Sequence, residues 1–163
     1  MKEEAARALR GLLEHMGMEG VVEAREDEER ITLEIQGRDA GLIIGRQGAT
    51  LDALQYLVNR MVAHGQEDAE RKPITLDAEG YRGRRVESLV EMAHRLADKA
   101  RKTGRPVAAQ PMSAADRRVM HLALADVSDV TTRSEGEGSE RHLIIVPLGV
   151  GGRAERAGGG RAE

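Results

Sequence analysis

The chain has 163 residues, of which 40% are hydrophobic and 33% charged, with no cysteine and a formal charge of −3. That length holds one ordinary domain or two compact units of roughly 70 residues each, and the composition belongs to globular rather than disordered chains. Disulfides, thiolate metal sites and cysteine nucleophiles are excluded; no apolar run approaches the roughly 20 residues of a bilayer span, and four acidic side chains among the first 20 residues are unlike a secretory signal, so a cytoplasmic protein without membrane insertion is expected.

Along the chain, Ala5, Ala6, Leu9, Leu12, Leu13 and Met16 recur at helical spacing before Gly17. Val21, Val22 and Ala24 predict a strand, the acidic run 26–29 a turn, and the alternating Ile31, Leu33 and Ile35 a second strand of the same hairpin. A short helical stretch follows, with Asp39 as its N-cap, then Gly45-Arg46-Gln47-Gly48 and a helix through Leu51, Leu54, Leu57, Val58 and Met61. Pro73, Ile74 and Leu76 predict a closing strand, which completes the order α-β-β-α-α-β. Residues 81–102 predict a long helix with Val86, Leu89, Val90, Ala93, Leu96, Ala97 and Ala100 on one face, stopped by Gly104 and Pro106. Ser113 to Asp116 has the form of a capping box and opens a helix to about residue 125; strands are expected over 127–133 and 141–146 around a turn-rich 134–139. Residues 149–163 have too little apolar content to fold and are expected to be a flexible tail.

Charge is distributed unevenly over this pattern. Residues 1–70 carry 8 basic and 15 acidic side chains, residues 71–121 carry 12 and 6, and residues 122–163 carry 5 and 7. The middle third is therefore the electrostatic candidate for a phosphate backbone. Its basic face on the long helix includes Arg82, Arg84, Arg85, Arg95 and Lys99, which is either a solvated surface or a track for phosphates. Only Tyr56 and Tyr81 are aromatic, so stacking platforms are nearly absent and any bound bases would meet aliphatic and backbone surfaces.

Two short motifs carry chemistry. Glycine at 45 and 48 permits the positive φ of a tight helix-loop-helix connection and removes Cβ atoms from the path of a sugar-phosphate chain. Amides at the entrance of the next helix present the positive end of its dipole to phosphate oxygens, and Arg46 adds charge beside Gln47. Ile43 and Ile44 would supply part of an apolar floor for about four unstacked bases. A bare Gly-x-x-Gly is more often a plain helix-helix turn, but no Lys-Ser or Lys-Thr follows as in a P-loop, and the spacing is not that of a dinucleotide fingerprint. Arg117 and His121, four residues apart, share a helix face next to Arg118; the arginine offers forked donors to phosphate, and the histidine can stack or donate. Taken singly, those residues more often mark an ordinary charged helix surface with a partly packed histidine.

The phrase Gly-Leu-Ile-Ile-Gly-Arg-Gln-Gly-Ala-Thr-Leu-Asp-Ala-Leu-Gln-Tyr, residues 41–56, in this element order resembles a prokaryotic-type KH domain. Pro111-Met112 followed by Arg117-Arg118-Val119-Met120-His121 and two strands is similar to the Arg-x-x-x-His domain of single-stranded nucleic-acid-binding proteins. Their succession resembles the Jag family, also called SpoIIIJ-associated or KhpB proteins, over residues 1 to about 148. The expected fold class is α+β in two small domains: a KH domain over 1–78, and over 79–148 an α/β module of helices packed on a small, mainly antiparallel sheet. The resemblance implies single-stranded RNA as partner, with single-stranded DNA as the other candidate. It further implies a small single-KH-domain protein as companion, and a link to cell elongation and envelope synthesis. Many members begin with an additional N-terminal domain and charged linker, and this chain is expected to lack them. The candidate binding residues are Ile43, Ile44, Gly45, Arg46, Gln47, Gly48, Arg84, Arg85, Arg117, Arg118 and His121, with the long helix guiding the strand between the two motifs.

An enzyme has little material. His15, His64, His94, His121 and His142 are scattered without metal-ligand spacing, no serine occupies a nucleophile elbow, and the acidic run falls in a turn, so no catalytic residue, metal or cofactor is expected. The competing reading is a protein-interaction adaptor that pairs through its KH fold, with nucleic acid incidental.

Overall fold

The computed structural model describes residues 1–63 and 72–149; His64 and residues 150–163 of the expected 149–163 tail lie outside the described residues. The chain divides into two units, Met1–Arg84 and a second from Arg85 onward. Both are α+β.

The first unit runs α1 (Lys2–His15), β1 (Val21–Glu26), β2 (Ile31–Gln36), α2 (Ala40–Ile44), α3 (Ala49–Ala63) and β3 (Ile74–Ala78), the order read from the sequence. The sheet order is β1-β2-β3. The hairpin pairing is antiparallel, with Val22 opposite Ile35 and Ala24 opposite Leu33. β3 joins β2 in parallel, aligning Ile74, Leu76 and Ala78 with Ile31, Leu33 and Ile35. All six of those side chains are buried, while Thr32, Glu34, Thr75 and Asp77 between them are half-exposed. This period of two hides one sheet face beneath Leu9 and Leu13 of α1 and Leu51, Leu54 and Val58 of α3. The hairpin turn is held by Asp27, whose Oδ1 accepts from the amides of Glu29 and Arg30 at 2.8 Å each.

As an edge strand, β3 would expose a row of backbone groups to any passing chain. Side chains occupy that row instead. Asn59 donates to the Ile74 carbonyl at 2.8 Å and accepts from its amide at 3.2 Å. Gln55 Oε1 accepts from the Leu76 amide at 2.9 Å, and Arg82 Nε donates to the Leu76 carbonyl at 2.7 Å. Asp77 closes on the Ala78 amide at 2.8 Å.

The division between units falls within α4 (Tyr81–Thr103). The second unit continues with β4 (Val107–Ala108), α5 (Ala114–Ala123), β5 (Val130–Glu135) and β6 (His142–Pro147), in an antiparallel sheet of order β4-β6-β5. Leu89, Ala93, Ala97 and Ala100 of α4 pack with Met112, Met120, Leu124, Val130, Leu143 and Ile145. Val86, read as part of the same face, is exposed.

Boundaries differ from the sequence reading at several places. β4 has only two residues, too few for a strand pattern to register, and it exists because β6 offers Ile144 and Ile145 as partners. β5 begins at Val130, not 127, because the Val127 amide turns back to the Leu124 carbonyl at 3.1 Å. α5 ends at Ala123, with the amides of Leu124 and Ala125 donating three residues back. The anticipated capping box is half-formed: Ser113 Oγ accepts from the Asp116 amide at 3.1 Å, but the Asp116 carboxylate turns to Arg85 instead.

Two measurements probe these contacts. Asn59→Ala leaves the Ile74 amide and carbonyl unpaired and is expected to lower unfolding free energy by about 1–3 kcal/mol in urea titrations. Asp129 is hydrogen-bonded by Arg101 at 2.7 and 2.9 Å, and those bonds, then the guanidinium charge, hold its carboxyl below the ordinary range. A carboxyl depressed in the folded state stabilises above its unfolded pKa of about 3.9 and loses that contribution as pH falls through the lower folded value. The thermal midpoint is therefore expected to fall more steeply on acidification below about pH 5 in the parent than in Asp129→Asn, the two converging once the carboxyl is protonated.

Candidate nucleic-acid interface

Gly45 ends α2 at φ +71°, its amide donating to the Gly41 carbonyl at 3.1 Å. Arg46–Gly48 forms a single 3₁₀ turn in which Gln47 stands at φ +55° and Gly48 at φ +83°, after which α3 begins at Ala49. Arg46 and Gln47 are thereby presented to solvent at the entrance of α3, while Gly48 is buried. The reason for glycine differs from steric clearance of a ligand. A Cβ on Gly45 would collide with Thr50 Oγ1, and one on Gly48 would stand 2.8 Å from the Tyr81 ring. The protein itself fills both spaces, and positive φ adds to the demand for glycine.

The apolar residues beside the turn divide by face. Ile43 lies wholly inside the core, Ile44 is half-buried, and Leu42 is 64% exposed. α2 has only five residues, too few for a helical period to reveal which of Leu42, Ile43 and Ile44 faces outward.

In the second unit, α5 carries Arg117 half-buried and Arg118 and His121 exposed. Arg117 Nη1 donates to the Met112 carbonyl at 2.6 Å, which ties the guanidinium to the chain just before the helix. His121 Nδ1 lies 2.5 Å from Thr132 Oγ1 on β5. That contact fixes the ring plane and leaves Nε2 as the nitrogen directed elsewhere. Thr132 gave no signal of its own, although its register on a strand following the motif marks it in retrospect.

The basic face of α4 proves heterogeneous. Arg82 caps the edge of β3 and pairs with Asp52 at 2.9 Å. Arg84 donates to the Glu79 carbonyl. Arg85 pairs with Asp116 at 2.7 Å, and both side chains are largely removed from water. Among the described residues, Arg46, Arg117 and Arg118 form no ion pair, so their charge is available to an external anion. No group of three or more His, Asp and Glu side chains among the described residues could hold a metal, and no described helix is long and apolar enough to cross a membrane.

A Gly-x-x-Gly turn on the first fold and an Arg-x-x-x-His helix on the second define a two-module protein that joins a KH domain to an Arg-x-x-x-His domain. Residues 2–72 match the KhpA/KhpB KH domain family, and residues 87–147 match the domain family named for the Arg-x-x-x-His motif. Similar proteins include the RNA-binding protein KhpB of Clostridium symbiosum, 41% identical over 131 residues, which are 80% of this chain and 58% of that protein. The RNA-binding protein KhpB of Bacillus subtilis (strain 168) is 33% identical over 145 residues, 88% of this chain and 69% of its own length. That of Lactiplantibacillus plantarum is 31% identical over 147 residues, 88% and 45%. This chain belongs to the KhpB family, also called Jag, and spans somewhat more than half the length of the first of these relatives.

The turn geometry predicts that Gly45→Ala costs about 1–3 kcal/mol of folding free energy through strain and the Thr50 contact. Arg46→Ala, at an exposed position, is expected to stay within about 0.5 kcal/mol of the parent. Urea unfolding curves on the two variants check this, and they show why loop function is better probed at Arg46 and Gln47.

Proposed function

We propose that the chain binds single-stranded RNA in the bacterial cytoplasm, through the turn at Gly45–Gly48 and through Arg117, Arg118 and His121. The observation that carries this reading is the exposure of Arg46 at a helix entrance with no carboxylate partner among the described residues, in a module that matches the KhpA/KhpB KH domain and in a chain similar to proteins named for RNA binding. Helix-entrance amides and a guanidinium favour a polyanion, and a strand without a partner leaves its bases open to the aliphatic surface at Leu42 and Ile44. With few aromatic side chains, sequence selectivity is modest. Two weak sites on one chain raise avidity without new contacts. By resemblance to the family, the RNA serves post-transcriptional control of cell elongation and envelope synthesis.

A second reading, pairing with a small single-KH-domain protein, is favoured by a separate feature. α1 and α3 leave a groove whose lining includes Glu4, Arg7, Ala8, Leu12, His15 and Met61, and Leu57, one helical turn before Met61 on α3, is exposed. None of the residues of the turn lines that groove, so pairing there and RNA binding at the turn draw on different residues.

Fluorescence anisotropy of a labelled, unstructured RNA oligonucleotide tests the first reading. With about five phosphates contacted, affinity is expected to fall with a log-log salt slope of about −3.5. The double variant Arg46→Asp, Gln47→Asp is expected to remove most binding by the first unit; Asp tolerates the positive φ at position 47, so the turn survives. An adaptor for which RNA is incidental would show little salt dependence and no effect of these changes.

A further inference from the structure

We propose that the RNA-contacting surface of the second unit extends from α5 across the β5–β6 hairpin, with Arg141 as a phosphate-binding cation and Thr132 as the residue that positions His121. This rests on the RNA-binding reading above and adds residues outside the Arg-x-x-x-His motif.

The contacts form a closed circuit. Arg117 and His121 are one helical turn apart on α5. His121 Nδ1 meets Thr132 Oγ1 at 2.5 Å. Thr132 and Ser134 are two residues apart on β5 and so share a sheet face. Ser134 Oγ accepts from Arg141 Nε at 3.0 Å. The Arg141 carbonyl then accepts from the Met112 amide at 3.1 Å and receives a longer approach from Arg117 Nη1 at 3.5 Å, which returns to the start. The Arg117 guanidinium is thereby anchored to backbone carbonyls and the Arg141 guanidinium to the Ser134 hydroxyl.

Charge separates Arg141 from its neighbours. Arg133, on the adjoining strand position, is engaged by Glu135 at 2.5 Å, and Arg101 by Asp98 and Asp129. Arg141 is exposed and, among the described residues, forms no ion pair. Its side-chain bond among the described residues, through Nε to a neutral hydroxyl, orients the guanidinium while leaving the Nη edge for a bidentate anion. A serine partner thus pre-orders a long side chain without neutralising it. Thr132 does the equivalent for His121, occupying Nδ1 so that Nε2 faces the ligand. The ligand class that fits two guanidinium groups oriented by neutral partners and an imidazole held by Thr132 is the phosphodiester backbone of an unpaired strand.

The test uses the full chain, a labelled unstructured RNA oligonucleotide and a series of salt concentrations. Arg141→Gln is expected to weaken binding about three- to tenfold and to make the log-log salt slope shallower by about 0.7, the contribution of one phosphate on a single strand. Arg141→Lys is expected to keep the slope. Thr132→Val, which preserves strand shape, is expected to weaken binding with the slope unchanged, and Thr132→Ser to restore it; a merely structural role for Thr132 would not distinguish those two variants. Thermal melts monitor folding throughout, and because Lys and Gln at position 141 equally lack the Nε bond, any slope difference between them reports charge alone. The proposal is overturned if Arg141→Gln matches the parent in affinity and slope while Arg117→Ala weakens binding. If the parent itself ignores the oligonucleotide in dilute buffer, the RNA-binding reading fails first, an outcome distinct from the other.

Discussion

Three of the four residues between α2 and α3 stand at positive φ, and the two glycines among them touch Thr50 and the Tyr81 ring where a Cβ would otherwise be. This packing holds α2 and α3 in a tight corner and turns the intervening Arg46 and Gln47 outward. Without it the entrance of α3 would not be displayed beside a cation, and the first unit would lose the arrangement that suits a phosphate. The glycines thus act through the fold: they set the corner, and the corner sets the exposed pair.

Arginine is used for two opposed purposes in this chain. Arg82, Arg85 and Arg101 are consumed by the fold, closing a strand edge, pairing with a largely buried carboxylate and gripping the turn before β5. Arg46, Arg117, Arg118 and Arg141 meet no carboxylate among the described residues; where they have partners, these are backbone carbonyls or a hydroxyl. Neutral partners orient a guanidinium while leaving its charge intact, whereas a carboxylate cancels it. The distinction explains how a chain of formal charge −3 can still offer local positive surface. It also moves the weight of the second module's electrostatics from α4 toward α5 and its hairpin.

Membership of the KhpB family places the two modules in a known succession, while the chain spans 58% of one relative and 69% of another. What those longer proteins do as wholes is a separate matter from the chemistry of the two modules, which stands on the residues described.

Much of the architecture was legible in the order of residues. Alternation at Ile31, Leu33 and Ile35 specified a one-sided strand, the helical recurrence through Leu51, Leu54 and Val58 specified α3, and Gly45 and Gly48 marked the corner, because each signal is local and periodic. The α-β-β-α-α-β order and the Arg-x-x-x-His spacing followed directly. Tertiary structure alone decided which arginines keep their charge, since Arg82 finds Asp52 thirty positions away and Arg85 finds Asp116 across thirty-one. It alone produced β4, which is a strand only because β6 lies beside it, and it alone joined Thr132 to His121 and Ser134 to Arg141. Periodicity reports which face of an element seeks burial; it carries no information about which distant side chain will meet a given guanidinium or imidazole, because that is fixed by packing between elements.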